Sequence, residues 1–381
     1  MPVGYSLYLD IVRFMAAVFV VLSHVANAAI FPLWLTPYVP DFGRESVILF
    51  FVLSGYVIAF TRAHKHQSVD HYLVARMTRI YSVALPVLIL SLALALLGLR
   101  LDASLYQGLY QYESLHIYIP LHLLFAGELW TLSEQPFTVP PYWSLGYEVW
   151  YYLLFVFISF YQGWRRWLWC AVWLLIVGYK LLLLLPVWLA GVMLYQYRDR
   201  LQLSALWAWS GFTLSLLAMI WFELADIDAM LLTMGEQWWQ QHIEPWTQWR
   251  LGSAKPFLAD YAMCGLVMVN FYCAYYLRFT GLKPWAKSIQ TAAAYTFTLY
   301  LLHFPVMIFM ERHVVTEKAQ ITSALLILFV IGLSTWLVGQ LTERRKHLWQ
   351  PVFDWLVQRG ATFIGAVRPL RWLLQTKEAR L

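Results

Sequence analysis

A long hydrophobic stretch near the N terminus, LYLDIVRFMAAVFVVLSHVANAAI (residues 7–30), carries three ionisable side chains. It is long enough to cross a bilayer as a helix, which takes about 20 residues, yet it contains Asp10, Arg13 and His24. A charge at the centre of a bilayer costs at least ~3 kcal/mol, so ionisable residues within a span usually face a polar interior and serve chemistry or transport. We therefore expect a transmembrane helix with a functional polar face.

The spacing of Arg13 and His24 places both side chains on that face. They are eleven residues apart, which at about 100° per residue is three turns plus about 20°. At about 1.5 Å rise per residue they stand roughly 16 Å apart along the helix axis. One face therefore carries a cation near one membrane surface and an imidazole toward the other.

Hydrophobic runs of similar length recur along the chain, which has 381 residues, 61% of them hydrophobic and 13% charged. This pattern is typical of an all-α polytopic membrane protein. The segment 115–130 is too short for a comfortable span and contains Pro120, so we expect it to be re-entrant or surface-lying. We predict about ten transmembrane helices, near residues 6–30, 45–62, 80–98, 143–161, 166–180, 181–197, 203–223, 256–278, 290–310 and 321–341.

The distribution of Lys and Arg predicts the orientation. The link 62–79 holds four of them, which places this link and both termini on the cytoplasmic side of the membrane. From Thr342 onward, eight Lys and Arg residues stand against three acidic ones. We predict a membrane domain over residues 1–345 and a basic amphipathic cytoplasmic tail over 346–381, lying on membrane lipids as an interfacial helix. A plain topology anchor is the alternative for the tail.

Charge and cysteine content argue against two other kinds of protein. The net charge of +6 would suit a nucleic-acid partner, but no soluble basic domain is predicted, and membrane placement explains the charge better. Cys170, Cys264 and Cys273 all fall inside apolar segments, so neither a disulfide framework nor a metal site is indicated. We expect no nucleic acid and no metal.

His24 is the first catalytic candidate, and Asp10, on the same face of the helix, is another. An imidazole in the outer third of the first helix can take a proton from a hydroxyl near neutral pH. The alternative is a histidine that only hydrogen-bonds a neighbouring helix. Glu148 lies about one turn into the fourth predicted span, where the helix dipole favours a carboxylate. Its functional interpretation is an acid at the depth of His24, which orients the ring or holds a substrate hydroxyl.

Arg76 and Arg79 are three residues apart just before the third span, so their guanidinium groups converge. Guanidinium groups suit phosphate oxygens, which predicts a site for a phosphate-bearing cofactor; the alternative is a purely topological role. Ser54 and Gly55 lie inside the second span. Small residues there usually permit close helix packing, and a channel for a slender ligand along this face is the second interpretation.

Together these residues resemble the acyltransferase family 3 of integral membrane acyltransferases. The resemblance implies ten helices with both ends cytoplasmic, an acyl-CoA donor, most often acetyl-CoA, and a hydroxyl acceptor on an envelope carbohydrate. It further implies that His24 is essential and that Arg13, Arg76 and Arg79 serve donor binding or catalysis. The motifs that carry it are Arg13-x10-His24, FFVLSGYVI (50–58), Arg76-x-x-Arg79, WSLGYE (143–148), YLLHFP (300–305) and Glu343.

Two rival functions remain open at this point. A secondary transporter or flippase for an envelope glycan intermediate also explains ionisable residues within spans. It predicts paired broken helices at matching places in two halves of the chain, and the sequence shows no such symmetry. The second rival is an unrelated membrane-bound O-acyltransferase, for which His303, in the ninth predicted span, is the candidate.

Overall fold

A computed structural model describes residues 1–65, 68–106, 114–315 and 317–366, and this part of the chain contains fifteen α-helices and no strand. The prediction of an all-α protein is confirmed. The helices are α1 (Val3–Asn27), α2 (Gly43–His64), α3 (Val69–Leu101), α4 (Leu115–Leu123), α5 (Tyr142–Phe160), α6 (Gly163–Val177), α7 (Tyr179–Tyr197), α8 (Ala205–Leu224), α9 (Ile227–His242), α10 (Glu244–Thr247), α11 (Phe257–Tyr276), α12 (Ala286–Ala293), α13 (Thr296–His313), α14 (Ile321–Leu341) and α15 (Gln350–Ala366).

Seven of the described helices are long and apolar enough to cross a membrane, namely α1, α2, α3, α7, α8, α11 and α14. An eighth span is formed if Thr280–Ala293 and Thr296–His313, which meet at an angle of 43°, count as one. This confirms a polytopic membrane protein. Helices α5 and α6 occupy predicted positions but are not among these eight, and α6 has 15 residues, about 22 Å at 1.5 Å per residue. Ten crossings therefore stay a prediction.

The segment 115–130 enters the bundle without crossing it. Its helix α4 has nine residues, far fewer than the ~20 needed to cross. The Tyr81 hydroxyl donates to the carbonyl oxygen of Leu123 (2.6 Å), and the Tyr142 hydroxyl donates to that of His122 (2.9 Å). The end of α4 therefore packs against the start of the predicted third span (80–98) and against α5, inside the bundle. This geometry fits the re-entrant alternative.

The first half of the predicted tail is helical. In α15, Phe353 is buried and packs against the ring of Tyr81, with 5.5 Å between ring centroids. Trp355 and Leu356 remain 51% and 43% exposed, so the helix buries one apolar side chain and leaves others available to lipid. Residues 367–381 lie outside the described part of the chain.

Helices α2 and α7 form the closest packed pair of the bundle. A Cβ atom on Gly55 would clash with the carbonyl oxygen of Trp188, and one on Gly191 would clash with that of Val52. The two backbones therefore touch at small residues, as expected for helix pairs in membranes. Gly55 faces α7, which fits the packing interpretation, and a role beside a bound donor stays a prediction.

A buried ion pair ties three segments of the bundle together. Lys180, at the start of α7, lies 3.2 Å from Glu128, and their side chains are 0% and 3% exposed. Ser253, in the segment before α11, donates to the same carboxylate (2.5 Å). A charge left unpaired in such an environment is strongly destabilising.

We expect Glu128→Ala to lower the free energy of unfolding by about 3–5 kcal/mol, because it leaves the buried Lys180 ammonium without its counter-charge. Thermal unfolding in detergent measures this loss. The control is Glu236→Ala, whose partner Lys255 is 44% exposed, so its loss should be about 0–1 kcal/mol. Equal losses of unfolding free energy in the two variants would contradict the stabilising role of the buried Glu128–Lys180 pair.

Candidate functional site

A cavity of about 740 Å³ lies between α1, α2, α3, α5, α13 and the 3-10 segment Glu343–Leu348. Five Lys and Arg residues stand against three carboxylates on its wall. The cavity is thus a cationic chamber inside an apolar bundle, open to a charged ligand. Its charged and imidazole-bearing lining residues are Asp10, Arg13, Lys65, His71, Arg76, Arg79, Glu148, Glu343, Lys346 and His347.

The polar face of α1 meets this cavity through Asp10 and Arg13. Arg13 donates to the Asp10 carboxylate (3.0 Å) and to the carbonyl oxygen of Ala293 (3.4 Å). Its Nε is buried, and no described residue accepts a hydrogen bond from it. Asp10 is therefore the partner of Arg13 rather than of His24, and the two residues face the polar interior that the spacing predicts.

Arg76 and Arg79 both line the cavity, as their spacing on α3 predicts. The Arg76 guanidinium lies between the rings of Tyr72 and Tyr152, 5.9 and 5.8 Å from their centroids. Its Nε and Nη1 are buried, and no described residue accepts a hydrogen bond from either. A buried donor without a partner costs about 1–3 kcal/mol, and more when it is charged. Both nitrogens are closed to solvent, so a ligand in the cavity would reach them only after neighbouring side chains move.

The Glu148 carboxylate is fixed by its neighbours on the cavity wall. Ser54 donates to Glu148 Oε1 (2.6 Å), the Tyr152 hydroxyl donates to the same oxygen, and Trp188 Nε1 donates to Ser54 Oγ (3.2 Å). Ser54 lies about 16 Å along α2 from its start, which is the middle of the helix. Ser54 is thus placed beside the cavity, as expected.

The structure corrects the expected depth of Glu148. We expected it beside His24, but its partners in the described chain are Ser54 and Tyr152. The reason is that α5 begins inside the bundle, where Tyr142 packs on the re-entrant segment. The second turn of α5 therefore lies at mid-depth.

His24 forms a pair with His303, the two rings belonging to α1 and α13. His24 Nδ1 is 2.7 Å from the carbonyl oxygen of Val20 and 3.3 Å from His303 Nε2. The ring centroids are 5.1 Å apart, and the ring of Phe304 meets His24 edge-on, also at 5.1 Å. His24 is partly exposed, whereas His303 is fully buried.

The cavity ends about one helical turn short of this histidine pair. Among the described residues that line it, His24 and His303 are absent, and Phe50, Ser144 and Tyr300 are present. The Tyr300 hydroxyl is 2.7 Å from Ser144 Oγ, and its ring meets that of Phe50 at 5.5 Å. Tyr300 precedes His303 by three residues, about 4.5 Å of helix. The sequence did not predict this separation between the lining of the cavity and the two imidazoles.

Several lining residues were missed by the sequence reasoning. Lys346 and His347 reach the cavity from the 3-10 segment after α14, and Lys65 and His71 from the ends of α2 and α3. The signal available was the basic run ERRKH (343–347), which we interpreted only as part of a tail. Glu343 accepts hydrogen bonds from Thr298 (3.1 and 3.2 Å) and so joins this segment to α13.

A cluster of three carboxylates lies outside this cavity. Glu45, Glu223 and Asp228 bring one oxygen each within 4.8 Å of one another. Exposed acidic groups commonly gather without an ion, so this cluster alone does not indicate a metal. The expected absence of a metal stays a prediction.

Comparison with known proteins identifies the family. The family model described as an acyltransferase domain, of family 3, matches residues 6–342. No curated protein and no solved structure matches the chain. The matched residues include all but the first three residues of α1 and the whole of helices α2 to α14, and therefore the whole wall of the cavity except Glu343, Lys346, His347 and Gln350. This chain belongs to acyltransferase family 3.

Proposed function

We propose that this membrane acyltransferase moves an acyl group, in the simplest case acetyl, from acyl-CoA to a hydroxyl of an extracytoplasmic or lipid-linked carbohydrate. The donor would enter from the cytoplasmic side of a bacterial inner membrane, where both termini lie. The observation that carries the proposal is the cationic cavity, with Arg76 and Arg79 side by side on its wall.

The cavity suits a donor that carries several phosphates. Arg13, Arg76, Arg79, Lys65 and Lys346 line it, and guanidinium groups bind phosphate oxygens through charge-assisted hydrogen bonds. Its volume of about 740 Å³ falls within the range of about 300–1,000 Å³ that ligand pockets show. The phosphates of CoA would pair with these guanidinium and ammonium groups, and the slender pantetheine arm would continue past Ser54.

The acceptor side is proposed to be the end of α1 that holds His24. Ser23 donates to the Asp41 carboxylate, and Asn27 donates to its second oxygen (3.3 Å), so this end of α1 carries polar groups that can bind a sugar. Since His24 is absent from the described lining of the cavity, side chains between the two, such as Tyr300, would have to move for the thioester to reach His24. Side-chain or loop movement of this kind commonly accompanies substrate binding.

His24 would then act in one of two ways. It deprotonates the acceptor hydroxyl, whose oxygen attacks the thioester carbonyl and expels CoA, or it first accepts the acyl group itself. Asp10, expected near the reacting groups, is the partner of Arg13 and would hold that guanidinium toward the donor. The geometry leaves both routes to His24 open.

The rival functions are weaker after the comparison. Membership in an acyltransferase family argues against a transporter or flippase. It also argues against an unrelated O-acyltransferase centred on His303.

Replacing both Arg76 and Arg79 by Ala should weaken acyl-CoA binding about 10- to 100-fold, because each lost charge-assisted bond contributes about 1.5–3 kcal/mol and solvent compensates in part. Calorimetric titration of the purified protein with CoA measures the affinity. Arg200→Ala is the control, since this arginine is exposed and outside the cavity lining. Unchanged affinity in the double variant would return the pair to a topological role.

His24→Ala should lower kcat at least 100-fold, as expected for loss of a general base or nucleophile, while donor affinity and membrane insertion stay unchanged. Transfer from labelled acetyl-CoA to a glycan acceptor in proteoliposomes measures the rate. His242→Ala, in the exposed part of α9, is the matched control and should retain activity. Transfer by the His24 variant at the wild-type rate would remove this residue from the mechanism.

A further inference from the structure

We infer that His303 is a positioning residue, which holds the imidazole of His24 with its proton on Nδ1 and leaves Nε2 as the reacting nitrogen. The inference rests on the proposed function, in which His24 carries the chemistry. It assigns a role to a side chain that lines neither the cavity nor the expected acceptor site.

Three distances determine where the protons lie. His24 Nδ1 is 2.7 Å from the carbonyl oxygen of Val20, and His303 Nδ1 is 3.0 Å from that of Leu299. A carbonyl oxygen only accepts hydrogen bonds, so both Nδ1 atoms must carry a proton. A neutral imidazole has one N–H group, and His303 Nε2 therefore presents a lone pair. His303 Nε2 lies 3.3 Å from His24 Nδ1. The N–H group of His24 is therefore shared between two acceptors, the carbonyl oxygen of Val20 and this lone pair.

The opposite assignment fails on the same distances. If His303 donated from Nε2, His24 Nδ1 would have to accept and would turn its lone pair toward the oxygen of Val20. His303 Nδ1 would likewise turn a lone pair toward the oxygen of Leu299. Two repulsive contacts would replace two hydrogen bonds, so the pair has one self-consistent arrangement.

Burial keeps this arrangement in place. His303 is 0% exposed, so water does not compete for its Nε2. The ring of Phe304 meets the ring of His24 edge-on, at 88°, and so restricts the orientation of the His24 imidazole. Residues that lock the rotamer of a reacting group in this way raise the fraction of molecules ready to react.

The arrangement has a consequence for acyl transfer. When Nε2 of His24 takes the proton of the acceptor hydroxyl, the O–H bond breaks, the oxygen attacks the thioester carbonyl, and the C–S bond breaks. The CoA thiolate leaves with the electron pair and receives the proton from Nε2. While His24 is doubly protonated, its Nδ1–H stays bonded to two neutral acceptors, Val20 and His303, which stabilise the positive charge. If Nε2 instead attacks the carbonyl first, the same two acceptors stabilise the acyl-imidazolium.

Two variants of His303 separate positioning from packing. In His303→Gln the amide oxygen can still accept from His24 Nδ1, whereas His303→Leu has a similar volume and no acceptor. We expect kcat to fall at least 10-fold in the Leu variant, with KM for acyl-CoA unchanged, and to stay within about 3-fold of wild type in the Gln variant. Met307→Leu, a buried change one turn further along α13, is the control and should keep full activity.

A measurement independent of activity tests the proton positions. In protein labelled with 15N-histidine, the His24 resonances, assigned by their loss in His24→Ala, should show a protonated Nδ1 and an unprotonated Nε2 in the neutral ring. A proton on Nε2 would overturn the inference, as would full activity in His303→Leu or equal losses in the Leu and Gln variants. If His24→Ala retained activity, the proposed function would fail even though the proton positions were as described.

Discussion

The absence of water in the hydrocarbon core of a bilayer is the constraint on which this structure depends. Charged side chains in membrane helices cannot face lipid without a cost of several kcal/mol, so Asp10, Arg13 and Arg79 turn to a shared interior. Helices α1, α2, α3, α5 and α13 surround that interior because each contributes a polar face. The result is a cationic cavity suited to an anionic ligand, since five Lys and Arg residues stand against three carboxylates on its wall.

The histidine pair does not line this cavity in the described chain, and in the proposed function the separation suits group transfer. A thioester held in the cavity would reach His24 only after side chains near Tyr300 move. Such a movement, made when the donor binds, would limit hydrolysis of the thioester by water from the acceptor side. The protein would thus admit two substrates from opposite sides without becoming a continuous pore.

Helical periodicity was enough to predict part of this site. Arg76 and Arg79 were paired from their spacing, and Arg13 was placed on a polar face, because a helix fixes which of its residues share a face. That Arg13 meets the other two, and that Glu148 lies beside Ser54 rather than His24, depends on how helices dock, which includes the start of α5 inside the bundle. The contact of Gly55 with α7 depends on docking in the same way. The contact between His24 and His303 joins residues 279 apart in the chain, and no local pattern in a single sequence reports it.

A neutral partner for His24 follows from the same constraint. A carboxylate beside the imidazole would place a permanent charge in the apolar part of the bundle. Its desolvation cost is not always recovered by forming an ion pair there. The neutral imidazole of His303 needs only one hydrogen-bond donor and one acceptor. The carbonyl oxygen of Leu299, in α13, is that acceptor. Asp10 and Glu148, whose carboxylates are permanent charges, lie on the wall of the polar cavity. His24 then carries a positive charge only during acyl transfer. That charge arises where two neutral acceptors, the carbonyl oxygen of Val20 and Nε2 of His303, already point at the ring.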